Sequence, residues 1–239
     1  MPDATKKLAK QLGVTFADKD LLTQALVHRS YLNENRSFGL PHNERLEFLG
    51  DAVLELVVTD HLYRTYENPE GDLTSWRSAV VRGEKLAVLA DRLGVGGVLL
   101  MSRGEEKSGG RTRPMLLANA FEAIVGAMYL DQGYDVTKEF IHRTVVAELP
   151  KIITQNLDRD AKSLLQEVAQ EAVGLTPRYK VTEETGPDHD KHFTVAVSVG
   201  DNELGVGSGS SKQQAEQGAA EQALKGNPKQ KLRQAKAKK

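Results

Sequence analysis

Apolar residues recur at helical spacing through nearly all of residues 20–150 of this chain. Five stretches carry the pattern: LLTQALVHRSYL (21–32), NERLEFLGDAVLELVVTDHLYRTY (43–66), LTSWRSAVVRGEKLAVLADRLG (73–94), LLANAFEAIVGAMYLDQG (116–133) and VTKEFIHRTVVAEL (136–149). Turn chemistry separates them: Gly39 and Pro41, then Asn68, Pro69 and Gly71, then Gly94 to Gly97, then Gly104 to Pro114. Helices of this length with no alternating strand pattern between them predict an all-α bundle.

The pattern changes after Pro150. KIITQNLDRD is polar and reads as a linker, part of which could extend the preceding helix. AKSLLQEVAQEAV (161–173) then reads as a short amphipathic helix, and Arg178 to Glu183 as a strand. Phe193, Val195, Val197 and Val199 alternate as in a half-buried strand. Gly200, Asp201 and Asn202 form a hairpin turn into a third strand at Leu204 to Val206. Ser210 or Ser211 caps the alanine-rich helix that follows. The expected fold is multidomain: an all-α domain and then a small α+β module of order α-β-β-β-α.

With 239 residues, 39% hydrophobic and 27% charged, the chain has the composition of one or two soluble domains. The absence of cysteine excludes disulfides, thiolate nucleophiles and Cys-ligated zinc. The N-terminus lacks the apolar core of a secretory signal, and no apolar run reaches membrane-spanning length, so a cytoplasmic location with no membrane partner is expected. The net charge of −1 hides an asymmetry. After Gly226 the chain holds Lys229, Lys231, Arg233, Lys236, Lys238 and Lys239 and no acid, which reads as a basic, disordered tail able to attract a polyanion.

The candidate chemistry lies in residues 43–55. Glu44, Glu47, Asp51 and Glu55 follow at intervals of three, four and four, which stacks like charges on one helix face. Asn119 and Glu122 stand three apart in a stretch that is otherwise nearly all apolar, where polar groups need a partner. If the two helices pack side by side, Glu47, Asp51, Asn119 and Glu122 converge on a four-oxygen site suited to Mg²⁺. Acids on helices are ordinarily just solvated. Embedding in LEFLGDAVLELVV, with a Gly50–Asp51 step that permits close helix contact, argues against that here. The six histidines are scattered without metal-ligand spacing, so histidine-based hydrolysis is not expected, and His28 reads as packed or capping.

In NERLEFLGDAVL, and in ALVHRSY, EGDLTSWRSAVVRGEKLA, RGEEKSGG and EAIVGAMYLDQG in that order, the chain resembles the bacterial ribonuclease III family, over nearly all of residues 5–226. The resemblance implies a catalytic domain at 5–150, a linker at 151–159, a double-stranded RNA-binding domain at 160–226 and the tail at 227–239. It implies a homodimer that cuts both strands of double-stranded RNA, including ribosomal precursors, to 5′-phosphate and 3′-hydroxyl ends with short 3′ overhangs. Glu47, Asp51, Asn119 and Glu122 would hold Mg²⁺, which Mn²⁺ could replace, with no small-molecule cofactor. Asp51 and Glu122 would be the residues most directly required for hydrolysis. Glu44 and Glu70 match supporting acids of the family's cleft. Phe48 matches a subunit-interface position, with a core aromatic as the other reading. On the second module, Gln166 and Glu167 would meet one minor groove and His189 the next. Ser211 and Lys212 would sit on phosphates across the major groove.

Two departures stand out. The family usually has Asp at the position of Asn119, and an amide brings a carbonyl oxygen but no charge. The expected site cleaves but needs more Mg²⁺ than an Asn119→Asp version. The alternative is a catalytically impaired regulator that binds duplex RNA on the same fold. Gln213 and Gln214 replace bases common in relatives, for which Arg178, Lys180, Lys191, the tail, and Lys107, Arg111 and Arg113 of the nuclease domain are candidate compensation.

Overall fold

The structure, a computed structural model, describes residues 3–155, 158, 161–187 and 191–237. The chain divides into two compact units, Met1–Asp158 and Arg159–Lys239.

Among the described residues the first unit is helical: α1 (Asp3–Leu12), α2 (Lys19–Ala25), α3 (Arg29–Glu34), α4 (Glu44–Thr65), α5 (Glu70–Val81), α6 (Gly83–Arg92), α7 (Arg103–Lys107), α8 (Pro114–Thr144) and α9 (Leu149–Thr154). The first half of α8 is apolar nearly all round apart from Asn119 and Glu122, and a helix of that kind is largely surrounded. It is: Phe121, Ile124, Val125 and Met128 are fully buried. Leu54, Val57 and Val58 of α4 pack in the same core. Asn43, itself buried, fixes the start of α4 by donating its side-chain amide to the carbonyl of Ala25 at 3.2 Å.

Three helix boundaries differ from the apolar pattern. Residues 21–32 do not form one helix, because Val27 pairs with Leu100 in an isolated parallel bridge. His28 then caps α3 by accepting a hydrogen bond from the Ser30 amide. Residues 73–94 split at Arg82, whose extended backbone (φ −59°, ψ 144°) ends α5 and starts α6. The last two patterned stretches run together as α8, bent at Gly133, whose φ of 78° other residues rarely adopt. The first part of the expected linker is also helical, and α9 buries Leu149 and Ile152 in the first core.

The second unit holds α10 (Ala161–Val173), β1 (Arg178–Thr185), β2 (His192–Val199), β3 (Asn202–Gly209), α11 (Lys212–Lys225) and α12 (Pro228–Ala237). The strands form an antiparallel sheet of order β1-β2-β3, with Val181 opposite Val195 and Val195 opposite Gly207. Phe193, Val195, Val197 and Val199 are buried, as the alternation requires. The alanine-rich α11 lies close on β3: a Cβ on Gly207 would overlap the backbone of Ala215 and Ala219. Glycine on the strand and alanine on the helix allow that approach.

The tail is a correction. It is not a disordered arm through its described part but a helix, begun by Asn227 at φ 51° and Pro228 in the first turn. Leu232 is 1% exposed within the module's core, which anchors it. One leucine among lysines is too sparse a signal to read from periodicity.

Candidate functional site

Gly50 on α4 and Gly126 on α8 mark where these helices cross. A Cβ built on Gly50 would fall on the carbonyl of Glu122 and lie 2.8 Å from the backbone nitrogen of Gly126. One built on Gly126 would fall on the carbonyl of Leu46. Only backbones without side chains approach this closely. The Gly50–Asp51 step is visible in the sequence; Gly126, four residues past Glu122 and facing Gly50 and Leu46 across the crossing, is the second signal, which helical spacing alone does not single out.

The crossing brings Glu47 and Asp51 to Asn119 and Glu122. The Asn119 side-chain amide lies near enough to the Glu47 carboxyl to favour its charged form. Burial and the charges of Glu44 and Asp51 push the Glu47 carboxyl above its ordinary range, and the Asn119 amide partly offsets them. Glu122 is pushed further, to about 7, by burial first and then by the charges of Asp51 and Glu47. A half-buried carboxyl beside two like charges is the electrostatic signature of a functional cluster. The acids do not close into a cage: among the described residues no group of three His, Cys, Asp or Glu side chains is set to hold a metal ion.

Glu44 stands at the start of α4, 3.4 Å from Arg29 and 3.8 Å from the His42 ring. Glu70 is exposed at the start of α5 and is not among the groups acting on Glu47 or Glu122. Phe48 is 81% exposed, which excludes a place in this unit's core. It lines a groove with Leu21, Pro41, Leu49 and Leu130, and Leu130 is itself exposed. His28 is the neutral cap expected of it, burial holding its ring below the usual imidazole range.

Among the suggested RNA contacts of the first unit, two are spent internally. Arg111 pairs with Glu106 at 2.7 Å and donates to the carbonyls of Gly96 and Leu99, and Arg113 pairs with Glu105. Both tie down their own loop, while Lys107 stays exposed. On the second unit Gln166 and Glu167 are exposed on α10 and line one shallow depression. Ser211 caps α11 by accepting from the Gln214 amide at 3.2 Å. Lys212 is exposed, its ammonium 5.5 Å from the centre of the Phe193 ring. Lys191 is paired with Glu184 at 2.7 Å. His189 lies outside the described residues. No helix among the described residues is long and apolar enough to cross a membrane.

Comparison with known proteins places both units. Residues 18–149 match the ribonuclease-III-like family, and residues 161–226 match the double-stranded RNA binding motif. Ribonuclease 3 of Desulforamulus reducens is 45% identical over 223 residues, 93% of this chain and 91% of that protein. Ribonuclease 3 of Pelotomaculum thermopropionicum is 47% identical over 228 residues, 94% of this chain and 95% of that protein. The solved nuclease domain of ribonuclease III from Campylobacter jejuni is 40% identical, with a TM-score of 0.56, covering 61% of this chain and 98% of that one. An acid-bearing helix crossing and a duplex-RNA module, in the order and at the length of these relatives, make the chain a member of the ribonuclease III family, the endoribonucleases of double-stranded RNA.

Proposed function

We propose that the α4–α8 crossing is the catalytic centre of a Mg²⁺-dependent, homodimeric enzyme that cuts duplex RNA to 5′-phosphate and 3′-hydroxyl ends with short 3′ overhangs. The observation that carries this is the contact of Gly50 with the Glu122 backbone, which gathers Glu47, Asp51, Asn119 and Glu122 and leaves Glu122 with a carboxyl pushed to about 7. Carboxylate and amide oxygens are the donors that hard divalent cations take, and the mutual repulsion of the three acids is what such a cation relieves. When bound, Mg²⁺ or Mn²⁺ supplies a water of lowered pKa and neutralises charge at the phosphate. Asp51 and Glu122, whose charges act on each other, would be the residues most directly required for hydrolysis. Asn119, a neutral neighbour that favours the ionised Glu47, would add a carbonyl oxygen to the set. Glu44, balanced by Arg29, and Glu70 have supporting roles.

The homodimer reading rests on Phe48 and Leu130, large apolar side chains exposed beside one groove. The Campylobacter jejuni structure is described as having a region involved in dimer formation, and we extend that assembly to this chain. Ribosomal RNA precursors, other structured transcripts and a cytoplasmic setting complete the proposal.

The test is incubation of a perfectly paired RNA with the protein, with EDTA, Mg²⁺ or Mn²⁺. Discrete short products bearing 5′-phosphates, lost in Asp51→Asn and Glu122→Gln, are expected. A gel shift without cleavage under every metal condition would instead favour the binding-only regulator.

A further inference from the structure

The C-terminal helix α12 lies beyond the residues that match the double-stranded RNA binding motif, which ends at 226. It is nonetheless built into the module through Leu232. Its two sides face different neighbours. Lys229 pairs with Glu171 of α10 at 2.5 Å, and Arg233, one turn further on, also acts on that carboxylate. Lys231 points the other way, lining a depression with Glu203, Val206 and Gln222 on the β3 and α11 side.

Glu171 is one helical turn from Glu167, and both line the α10 depression that also holds Gln166. By itself this face of α10 carries two acids, which would repel a phosphate backbone. Lys229 and Arg233 offset them, and from Gly226 onward the chain has no acid to reverse the balance. The α11 end is poor in cations, with Lys212 followed by Gln213 and Gln214.

We infer that α12 is a fourth element of the RNA-binding face of the module, in which Lys229 and Arg233 cancel the charge of Glu171 and Glu167 so that the α10 face admits the phosphates of a duplex. This rests on the reading that α10 and the start of α11 bind double-stranded RNA. The ligand class is the backbone of duplex RNA, recognised by charge and spacing without sequence readout.

The test uses the full-length protein and a paired RNA longer than the module, in Ca²⁺ or EDTA to suppress cleavage, with affinity measured from 50 to 300 mM salt. The double variant Lys229→Gln/Arg233→Gln is expected to bind about three- to tenfold more weakly, with the slope of log affinity against log salt reduced by about one to two units. Lys231→Gln, on the opposite side of the same helix, is expected to bind like the parent. Thermal unfolding of the full-length double variant is expected to match the parent; Leu232→Ala, which removes the anchor, should lower the melting temperature instead. An unchanged slope and affinity in the double variant, while Gln166→Ala and Lys212→Gln weaken binding, would overturn the inference. An equal loss in Lys231→Gln would overturn it too, since the effect would then be net charge and not one local to the α10 face. If Gln166→Ala and Lys212→Gln also bind normally, the underlying reading of the module is wrong and the inference falls with it.

Discussion

The α-carbon of Gly50 faces the carbonyl of Glu122 so closely that no side chain fits between them. This single approach sets the distance between the two acid-bearing helices. Gly50→Ala should therefore force α4 and α8 apart and lose about 3 kcal/mol or more of stability, with cleavage lost in the fraction that still folds. Gly71→Ala is the matched control, because nothing lies within 4 Å of a Cβ there. That change in a helix should be neutral or stabilising by up to about 1 kcal/mol. Chemical denaturation of both variants decides the point.

Removing one charge from the crossing should separate stability from activity. Burial and the Asp51 and Glu47 charges penalise an ionised Glu122, so the penalty is absent when it is protonated and present when it is charged. At pH 8 in EDTA, Glu122→Gln should be more stable than the parent by about 1–2 kcal/mol after allowing for solvent screening. It should also fail to cleave. A variant that is both less stable and inactive would show that the carboxylate is held by contacts and not tolerated for its charge.

Asn119 has a role that an aspartate could not fill unchanged, since its neutral amide favours the charged form of Glu47 and a carboxylate would oppose it. Asn119→Asp should lower the melting temperature in EDTA by adding a fourth like charge. It should also reduce the Mg²⁺ concentration needed for half-maximal cleavage about tenfold, and narrow the difference between Mg²⁺ and Mn²⁺. Metal titrations of cleavage, paired with melting curves in EDTA, test both halves.

A pH dependence lies well away from the site, at Glu148. Its carboxylate is held below the usual range by hydrogen bonds from Lys85 at 2.5 Å and Arg92 at 2.7 Å. Because the folded pKa is depressed, this stabilisation is complete above the ordinary glutamate value and is lost as pH falls through the folded value. Glu148→Gln should lower stability by about 1 kcal/mol at pH 7 and converge with the parent as the pH falls below the depressed folded value. Urea unfolding across that range reads the convergence.

Phe48→Glu should yield a monomer by sedimentation with an unchanged helical circular-dichroism spectrum, because the side chain is 81% exposed and contributes nothing to its own core. A variant that stays dimeric would relocate the interface away from the groove of Leu21, Leu49 and Leu130.

The all-α unit, the α-β-β-β-α order and the shared faces of Glu47 with Asp51 and of Asn119 with Glu122 were legible because each rests on a period; that the two faces meet does not follow from any period. Apolar spacing placed the helices, alternation placed β2, and intervals of three and four placed the acids on shared faces. What periodicity does not encode was missed or left open. The breaks at Val27, Arg82 and Gly133 come from a bridge to Leu100 and from local backbone angles, which leave the apolar count untouched. The helix at Pro228–Ala237 hangs on Leu232 alone. Arg111 and Arg113 read as free cations until their partners Glu106 and Glu105, only a few residues away, are seen to fold back on them. Whether Phe48 was core or surface required knowing which side of α4 the other helices cover.

The internal pairing of Arg111 and Arg113 has a consequence for how the two units divide their labour. A loop that neutralises its own guanidinium groups offers little electrostatic grip, so the catalytic unit alone would meet dilute RNA as a weak collider. The second unit, tethered a few residues away in sequence, would then work as a local reservoir that raises the effective concentration of duplex for its neighbour. Throughput at low RNA would be governed by the tether more than by the chemistry of bond breaking.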